Sequence, residues 1–451
     1  MASLESAIEG SRPLSGNVEI SARTSVLVVA LCWIGIFTEG YDVGVLGAIL
    51  PALATDASWK LTPIELGALG SYTLFGMLVG GILSGTLSDL YGRKPLFVGC
   101  FTLFTVCTII TAFTPTPAWF GVSRFVAGLG LGGIIPLAAA LTIEYSPARR
   151  KSLNYGIMYS GYSVGILTAA LVGKALLQDH GWRPVVLIGA APVVLVPLLA
   201  WWLPESLESL SARGRVDAAR KLAAQLKLPV PAGAPKAETV GWREVLGEIF
   251  SPRNAFATAC FWTALFMGLL LVYGVAQWLP QIMRKSGYNL GDSLLFLAVF
   301  SFTSAVGGIV LGQWADRFGV KRTVALAYAL GAIGIAALAF KESIWLNYTF
   351  VAIAGFGTVS ASLILTGYLA DYLAPFVRSA GTGWALSFAR IGALIGPLLG
   401  GYIASLNVGA QWNFYAFAVV AAVAAVATAL IPNKQAVVSV ANDAKFLSKR
   451  K

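Results

Sequence analysis

Twelve long apolar runs constrain this chain more than any other feature. They begin near Thr24, Pro63, Pro95, Pro117, Ser152, Arg183, Ala255, Leu290, Thr323, Ile344, Ser379 and Ala410. About 20 apolar residues carry a helix across the hydrocarbon of a bilayer. Isolated strands would leave backbone groups unpaired in lipid, so the runs are read as helices. The expected class is an all-α membrane protein with twelve transmembrane helices. Composition agrees. The chain is 57% hydrophobic and 12% charged, whereas soluble domains have about 45–50% apolar and about 25% charged residues.

The only long polar stretch lies between Pro204 and Arg253 and divides six spans from six. The expected organisation is therefore an N-terminal six-helix bundle (1–203), a cytoplasmic linker (204–253), a C-terminal six-helix bundle (254–433) and a cytoplasmic tail (434–451). No signal peptide is read, because the apolar run after Arg23 is too long for one. Lys and Arg mark the cytoplasmic loops. Arg93-Lys94, Arg149-Arg150-Lys151, Arg317 with Lys321-Arg322, Arg378 and Lys449-Arg450-Lys451 fall on one side, and Lys60, Lys174, Arg183, Arg284, Lys285 and Lys341 are scattered on the other. Both termini are thus expected in the cytoplasm, with insertion in a bacterial inner membrane.

Other classes are disfavoured. The net charge of +11 is spread over short loops, not gathered into a nucleic-acid-binding face. Cys32, Cys100, Cys107 and Cys260 lie in apolar runs without a CxxC pair and read as small core residues. His180, the only histidine, reads as a loop residue, so no metal site is expected. "GLGLGG" (Gly128 to Gly133) lies inside a span with no preceding strand, so it reads as helix packing rather than a dinucleotide loop. No serine elbow or paired metal carboxylates suggest an enzyme, and no cofactor is expected.

The two halves repeat. "GTLSDLYGRK" (Gly85 to Lys94) returns as "GQWADRFGVK" (Gly312 to Lys321), and "EYSPARR" from Glu144 returns loosely as "DYLAPFVR" from Asp371. Gly165 and Gly173 match Gly392 and Gly400 at the same offset. Two parallel six-helix repeats around a midplane cavity form a transporter architecture.

At "GTLSDLYGRK" the chain resembles the major facilitator superfamily along nearly its whole length. The resemblance implies that fold, with two pseudo-symmetric halves, and a conformational latch at the cytoplasmic face. It assigns the latch to Gly85, Asp89 and Arg93 and, through the repeated motifs, to Glu144, Arg149 and Asp316. Gly85 is expected to permit close helix approach, and Arg93 and Lys94 to pair across the halves. "EGYDVGVLGAILP" (Glu39 to Pro51) followed by "RFVAGLGLGGIIPLAAALTIEYSP" (Arg124 to Pro147) resembles the aromatic acid:proton symporter family, with Glu39 where that family usually has Asp. The first-span "GYD" is also similar to sugar:proton symporters.

Ionisable residues at mid-span cost about 2.5–3.5 kcal/mol on insertion scales and are kept where they work. Four stand out: Glu39, Asp42, Arg124 and Arg390. Asp42 lies eleven residues before Leu53, roughly 16 Å below the outer end, and Arg124 seven residues after Pro117, roughly 10 Å down. They can pair, and the resemblance implies a proton-coupling partnership; a salt bridge serving packing alone is the alternative. Glu39, one turn before Asp42, shuttles the proton or lines the substrate cavity. Arg390 lies eleven residues from Ser379, roughly 16 Å in. Its fork suits a carboxylate.

Tyr155, Tyr159, Tyr162, Tyr273, Trp384 and Phe388 can sandwich a ring, and Tyr159 and Gln277 are the favoured substrate contacts. The expectation is a monomeric proton-coupled symporter importing a small aromatic carboxylate such as benzoate, hydroxybenzoate, protocatechuate or gentisate. Carriers of sugars, non-aromatic organic acids or drugs, and a transport-like sensor, are the alternatives.

Overall fold

The computed structural model describes residues 21–147, 150–226, 247, 250–252, 254–340, 343–373 and 378–432, with backbone alone for 86, 89, 152, 212 and 378–380. Twelve helices among them are long and apolar enough to cross a membrane. The first six spans are Ala22–Leu53, Pro63–Tyr91, Arg93–Ala112, Pro117–Glu144, Lys151–His180 and the segmented Trp182–Trp202. The second six are Ala255–Lys285, Leu290–Phe318, Val320–Ala337, Ile344–Tyr372, Arg378–Ser405 and Gln411–Leu430. All twelve lie where the apolar runs placed them. The sixth is broken into Trp182–Ile188, a 3-10 turn Ala191–Leu195 and Val196–Trp202. Pro192 and Pro197 fall in that break, each lacking the N–H that a continuous helix would use.

Helix starts follow from local chemistry. Thr62 caps the second span by accepting from the Glu65 N–H, and Glu65 answers the Thr62 N–H, with Pro63 in the first turn. Thr116, Asn289 and Ser343 cap the fourth, eighth and tenth spans, each by accepting from a first-turn N–H. Such caps satisfy N–H groups that the first turn leaves free. Large side chains such as Ile309, Leu326 and Trp345 are more than 60% exposed on the outside of the bundle, as a lipid-facing surface requires.

The pseudo-symmetry is visible in the packing. In the first half, the first span packs on the fifth and the second on the fourth. In the second half the seventh packs on the eleventh and the eighth on the tenth. The repeated glycines sit at equivalent joints. A Cβ on Gly165 would run into the Phe37 carbonyl, and one on its counterpart Gly392 into the Phe266 carbonyl. Only a residue without a side chain lets these backbones approach so closely.

The halves meet along three seams: second span with eleventh, fifth with eighth, first with seventh. Call inner the face where Ala22 begins and Leu430 ends. The seams are tight toward the outer face. Gly67 abuts Pro397, Gly401 abuts Pro63, Gly47 abuts Ala276, and Ser71 Oγ donates to the Leu394 carbonyl at 2.8 Å. Toward the inner face, a Cβ at Gly85, Gly156, Gly312 or Gly383 on these same helices would meet nothing within 4 Å. The bundle is therefore in an inward-open arrangement. This corrects the expectation that Gly85 marks a close helix approach: with the inner seam parted, it has no neighbour to approach.

The polar stretch between the halves is not featureless. Leu207–Ala212 and Val216–Leu226 are short helices. Residues 227–246 and the tail beyond 432 lie outside the described residues.

Candidate functional site

The first span brings Glu39 and Asp42 to one face because residues three apart are neighbours on a helix, while Tyr41 between them turns to the sixth span and donates to the Val185 carbonyl. All three are at least 97% buried. Arg124 reaches Asp42 from the fourth span. Its two terminal nitrogens engage both carboxylate oxygens, with Nη2 to Oδ2 at 2.6 Å and Nη1 to Oδ1 completing the fork. Both side chains are at most 2% exposed. Such a bidentate pair is the geometry in which a buried guanidinium and carboxylate satisfy each other. Arg124 Nε has no partner.

Glu39 is different. It is wholly buried, yet neither carboxylate oxygen has a hydrogen-bond partner among the described residues. The charged groups that reach it are Arg390 and Asp42. Three phenols also feel its charge: Tyr159 and Tyr162 from the fifth span and Tyr273 from the seventh. Tyr159 stacks between Tyr155 and Tyr162, with ring centroids 6.0 Å from each. The Tyr162 hydroxyl faces Tyr273 and has no well-aligned partner of its own.

Arg390 stands at the junction of the halves. From the eleventh span it crosses to the second, where Nη1 donates to the Met77 carbonyl at 2.7 Å. Gly81, one turn on, leaves the space that its guanidinium fills. Arg390 makes no ion pair among the described residues. Toward the inner face, Phe388 stacks on Trp262 at 5.0 Å and lies beside Phe266. Trp384 is 48% exposed there. Gln277 is placed otherwise than expected: it is 3% exposed, with its Oε1 against Gly70 in the closed outer seam. It is one turn outward of Tyr273 and belongs to the wall that closes the site.

The inner-face cluster also departs from expectation. Arg93 does not pair across the halves. Its Nη1 contacts Glu144 at 2.9 Å, within its own half, and Glu208 of the linker at 3.0 Å. Glu144 also accepts from Ser206 Oγ at 2.6 Å and from the Glu208 N–H at 3.1 Å. The Lys94 N–H donates to Glu205 at 3.1 Å, and the Tyr145 hydroxyl donates to the Glu205 carbonyl. These bonds dock the linker helix Leu207–Ala212 on the first half. The physical reason is availability: with the inner seam parted, no acid of the second half pairs with Arg93 among the described residues, whereas Glu208 of the linker does. Asp316, the repeat counterpart of Asp89, is exposed and unpaired among the described residues. The Asp89 side chain and Arg149 lie outside the described residues.

Sequence reasoning missed Tyr162 and Tyr273 as neighbours of Glu39, Gly81 and the Met77 carbonyl as the seat of Arg390, and the docking acids Glu205 and Glu208. "PESLESL" after the sixth span, an acid-rich run beside Arg93 and Lys94 in charge sense, was the available signal for the last.

The arrangement joins a buried ion pair, an unpaired acid, a phenolic wall and a free cation at the meeting point of two parting bundles. The sequence profile of the Major Facilitator Superfamily matches residues 32–312 and 292–449. A benzoate transport protein of Acinetobacter baylyi is 35% identical over 90% of this chain and 90% of its own length. A gallate transporter of Pseudomonas putida is 33% identical over 85% of this chain and 86% of its own. Among solved structures, a partially occluded inward-open xylose transporter of E. coli superposes with a TM-score of 0.70 at 17% identity, covering 90% of this chain and 97% of that one.

Proposed function

Because this chain belongs to the Major Facilitator Superfamily, we propose that it is a proton-coupled symporter for a small aromatic carboxylate of the benzoate, hydroxybenzoate, protocatechuate or gentisate class. It is a multi-pass carrier, not an enzyme. It works as a monomer in the bacterial inner membrane with both termini in the cytoplasm, and the proton is its only coupling ion. The observation that carries the substrate class is Arg390: a guanidinium at the junction of the halves, without an acid partner among the described residues, beside stacked tyrosines. A fork with free N–H groups grips a carboxylate, and flat phenolic rings face an aromatic ring. Relatives named for benzoate and gallate support the same class.

Coupling rests on Asp42 and Arg124. While the pair holds, both Asp42 oxygens are taken up by Arg124. When the halves rock and the pair parts, a lone buried carboxylate is costly and takes a proton instead. A monoanion moved with one proton carries no net charge, so the pH difference alone drives it. A second proton, for which Glu39 is the nearest carrier, adds the membrane potential at about 2.3 kcal/mol per 100 mV. The Arg93–Glu144 cluster holds the linker in the inward-open state. The latch role of Gly85, Asp89, Arg149 and Asp316 belongs to the opposite state, in which the inner seam closes.

Counterflow in proteoliposomes tests the reading. Unlabelled 4-hydroxybenzoate inside should drive transient uptake of its labelled form. Counterflow of labelled glucose instead, with none of the aromatic acid, would overturn it.

A further inference from the structure

Glu39 poses a problem that the ion pair does not solve. A carboxyl group removed from water needs donors, and leaving one without them costs more than most single contacts contribute. Glu39 has no exposure and no donor on either oxygen. The ionisable groups that act on it sit on four helices: Asp42 on its own span, Tyr159 and Tyr162 on the fifth, Tyr273 on the seventh and Arg390 on the eleventh. None of them donates to it. Asp42 is spent on Arg124. Arg390 directs Nη1 to the Met77 carbonyl. The tyrosine hydroxyls leave it alone, and that of Tyr162 faces Tyr273 instead.

The site is thus bipolar. Among the described residues, a cation without an ion-pair partner stands at one end and an acceptor without donors at the other, with Tyr159 and Tyr273 near enough to feel both charges. A ligand carrying only a carboxylate would satisfy Arg390 and leave Glu39 as it is. A ligand that also carries a hydroxyl on its ring would supply the missing donor.

We infer that Glu39 is a specificity-determining residue that accepts a hydrogen bond from a ring hydroxyl, so that this carrier selects hydroxylated aromatic carboxylates over unsubstituted benzoate. The inference rests on the reading of the chain as an aromatic-acid carrier and divides that class further. The two relatives do not decide it, since one is named for benzoate and the other for gallate. A hydroxyl next to the carboxylate is a special case. It is bonded internally to the ligand's own carboxylate and lies at the Arg390 end, so 2-hydroxybenzoate should rank with benzoate.

The test is equilibrium binding to the purified full chain, without any gradient, so that selectivity is read apart from coupling. Benzoate, 4-methylbenzoate and the three monohydroxybenzoates are compared on the wild type, Glu39→Leu and Glu39→Gln. A hydrogen bond that satisfies a buried acceptor corresponds to about tenfold in affinity. The wild type should prefer 3- or 4-hydroxybenzoate to benzoate and 4-methylbenzoate by that factor. Glu39→Leu should bring the ratio to within about threefold, and Glu39→Gln, which keeps a neutral acceptor, should fall between. Equal binding of benzoate and all its hydroxylated forms by the wild type would overturn the inference, whether or not either variant folds. So would a folded Glu39→Leu protein with its preference intact. A folded wild type that binds none of the five would overturn the aromatic-acid reading itself, an outcome distinct from loss of ranking among bound ligands.

Discussion

On the proposed coupling role Asp42→Asn should separate transport from its coupling, and the structure sets the size of the effect. In the native pair both carboxylate oxygens accept from Arg124, and both side chains are at most 2% exposed. An asparagine can offer one neutral acceptor, while its NH2 would face the guanidinium donor to donor. Arg124 Nε already lacks a partner, so the variant leaves a buried cation with a single weak contact. Breaking a buried pair by removing one partner costs about 3–5 kcal/mol, and the variant should lose stability on that scale. Asp42→Glu, which restores a carboxylate, controls for this. For transport, one pH unit is worth about 1.36 kcal/mol per proton. With the outside one unit more acidic and no membrane potential, one coupled proton therefore sustains about tenfold accumulation. In proteoliposomes Asp42→Asn should accumulate substrate to no more than its external level while still exchanging it. A folded variant that keeps tenfold accumulation would refute the assignment. A folded variant that loses exchange as well would place the pair in packing rather than coupling.

Arg390→Lys keeps the charge and loses the fork, so KM should rise about ten- to a hundredfold with normal membrane insertion, measured by initial-rate uptake. Gly81→Ala places a Cβ on Arg390 Nη1, so it should raise KM in the same sense with little change in melting temperature, as a flexible side chain yields. Glu144→Ala removes the acceptor shared by Arg93, Ser206 and the Glu208 N–H. At about 1.5–3 kcal/mol for a charge-assisted bond, amide exchange in Leu207–Ala212 should quicken about ten- to a hundredfold while that of the fourth span holds. Gly40→Ala drives a Cβ into the Tyr162 backbone and should cost about 1–3 kcal/mol or more. Gly85→Ala meets nothing within 4 Å, so its melting temperature should match wild type, and on the proposed latch role its turnover should fall.

Some of this protein was determined by its sequence alone. Apolar runs long enough to span a bilayer leave no alternative to helices, because lipid offers the backbone no partners. The repeats then impose two similar halves, and Gly165 and Gly392 do occupy equivalent joints. Mid-span charges announce themselves because each is costly in lipid, so Glu39, Asp42, Arg124 and Arg390 were legible. Depth along a helix follows from residue rise, which is why Asp42 and Arg124 could be matched from sequence. Rotation about the helix axis and the choice of conformation could not. Whether Gln277 lines a cavity or a closed seam depends on which way its helix turns and on which face of the bundle is open. The same holds for Arg93, whose partners lie in whichever segment the present state brings near. That Glu39 stands without a donor while Asp42, one turn away, is doubly bonded is likewise a tertiary fact. Two acids on one helix face read alike in sequence, and only the approach of a fourth span with its arginine makes them different.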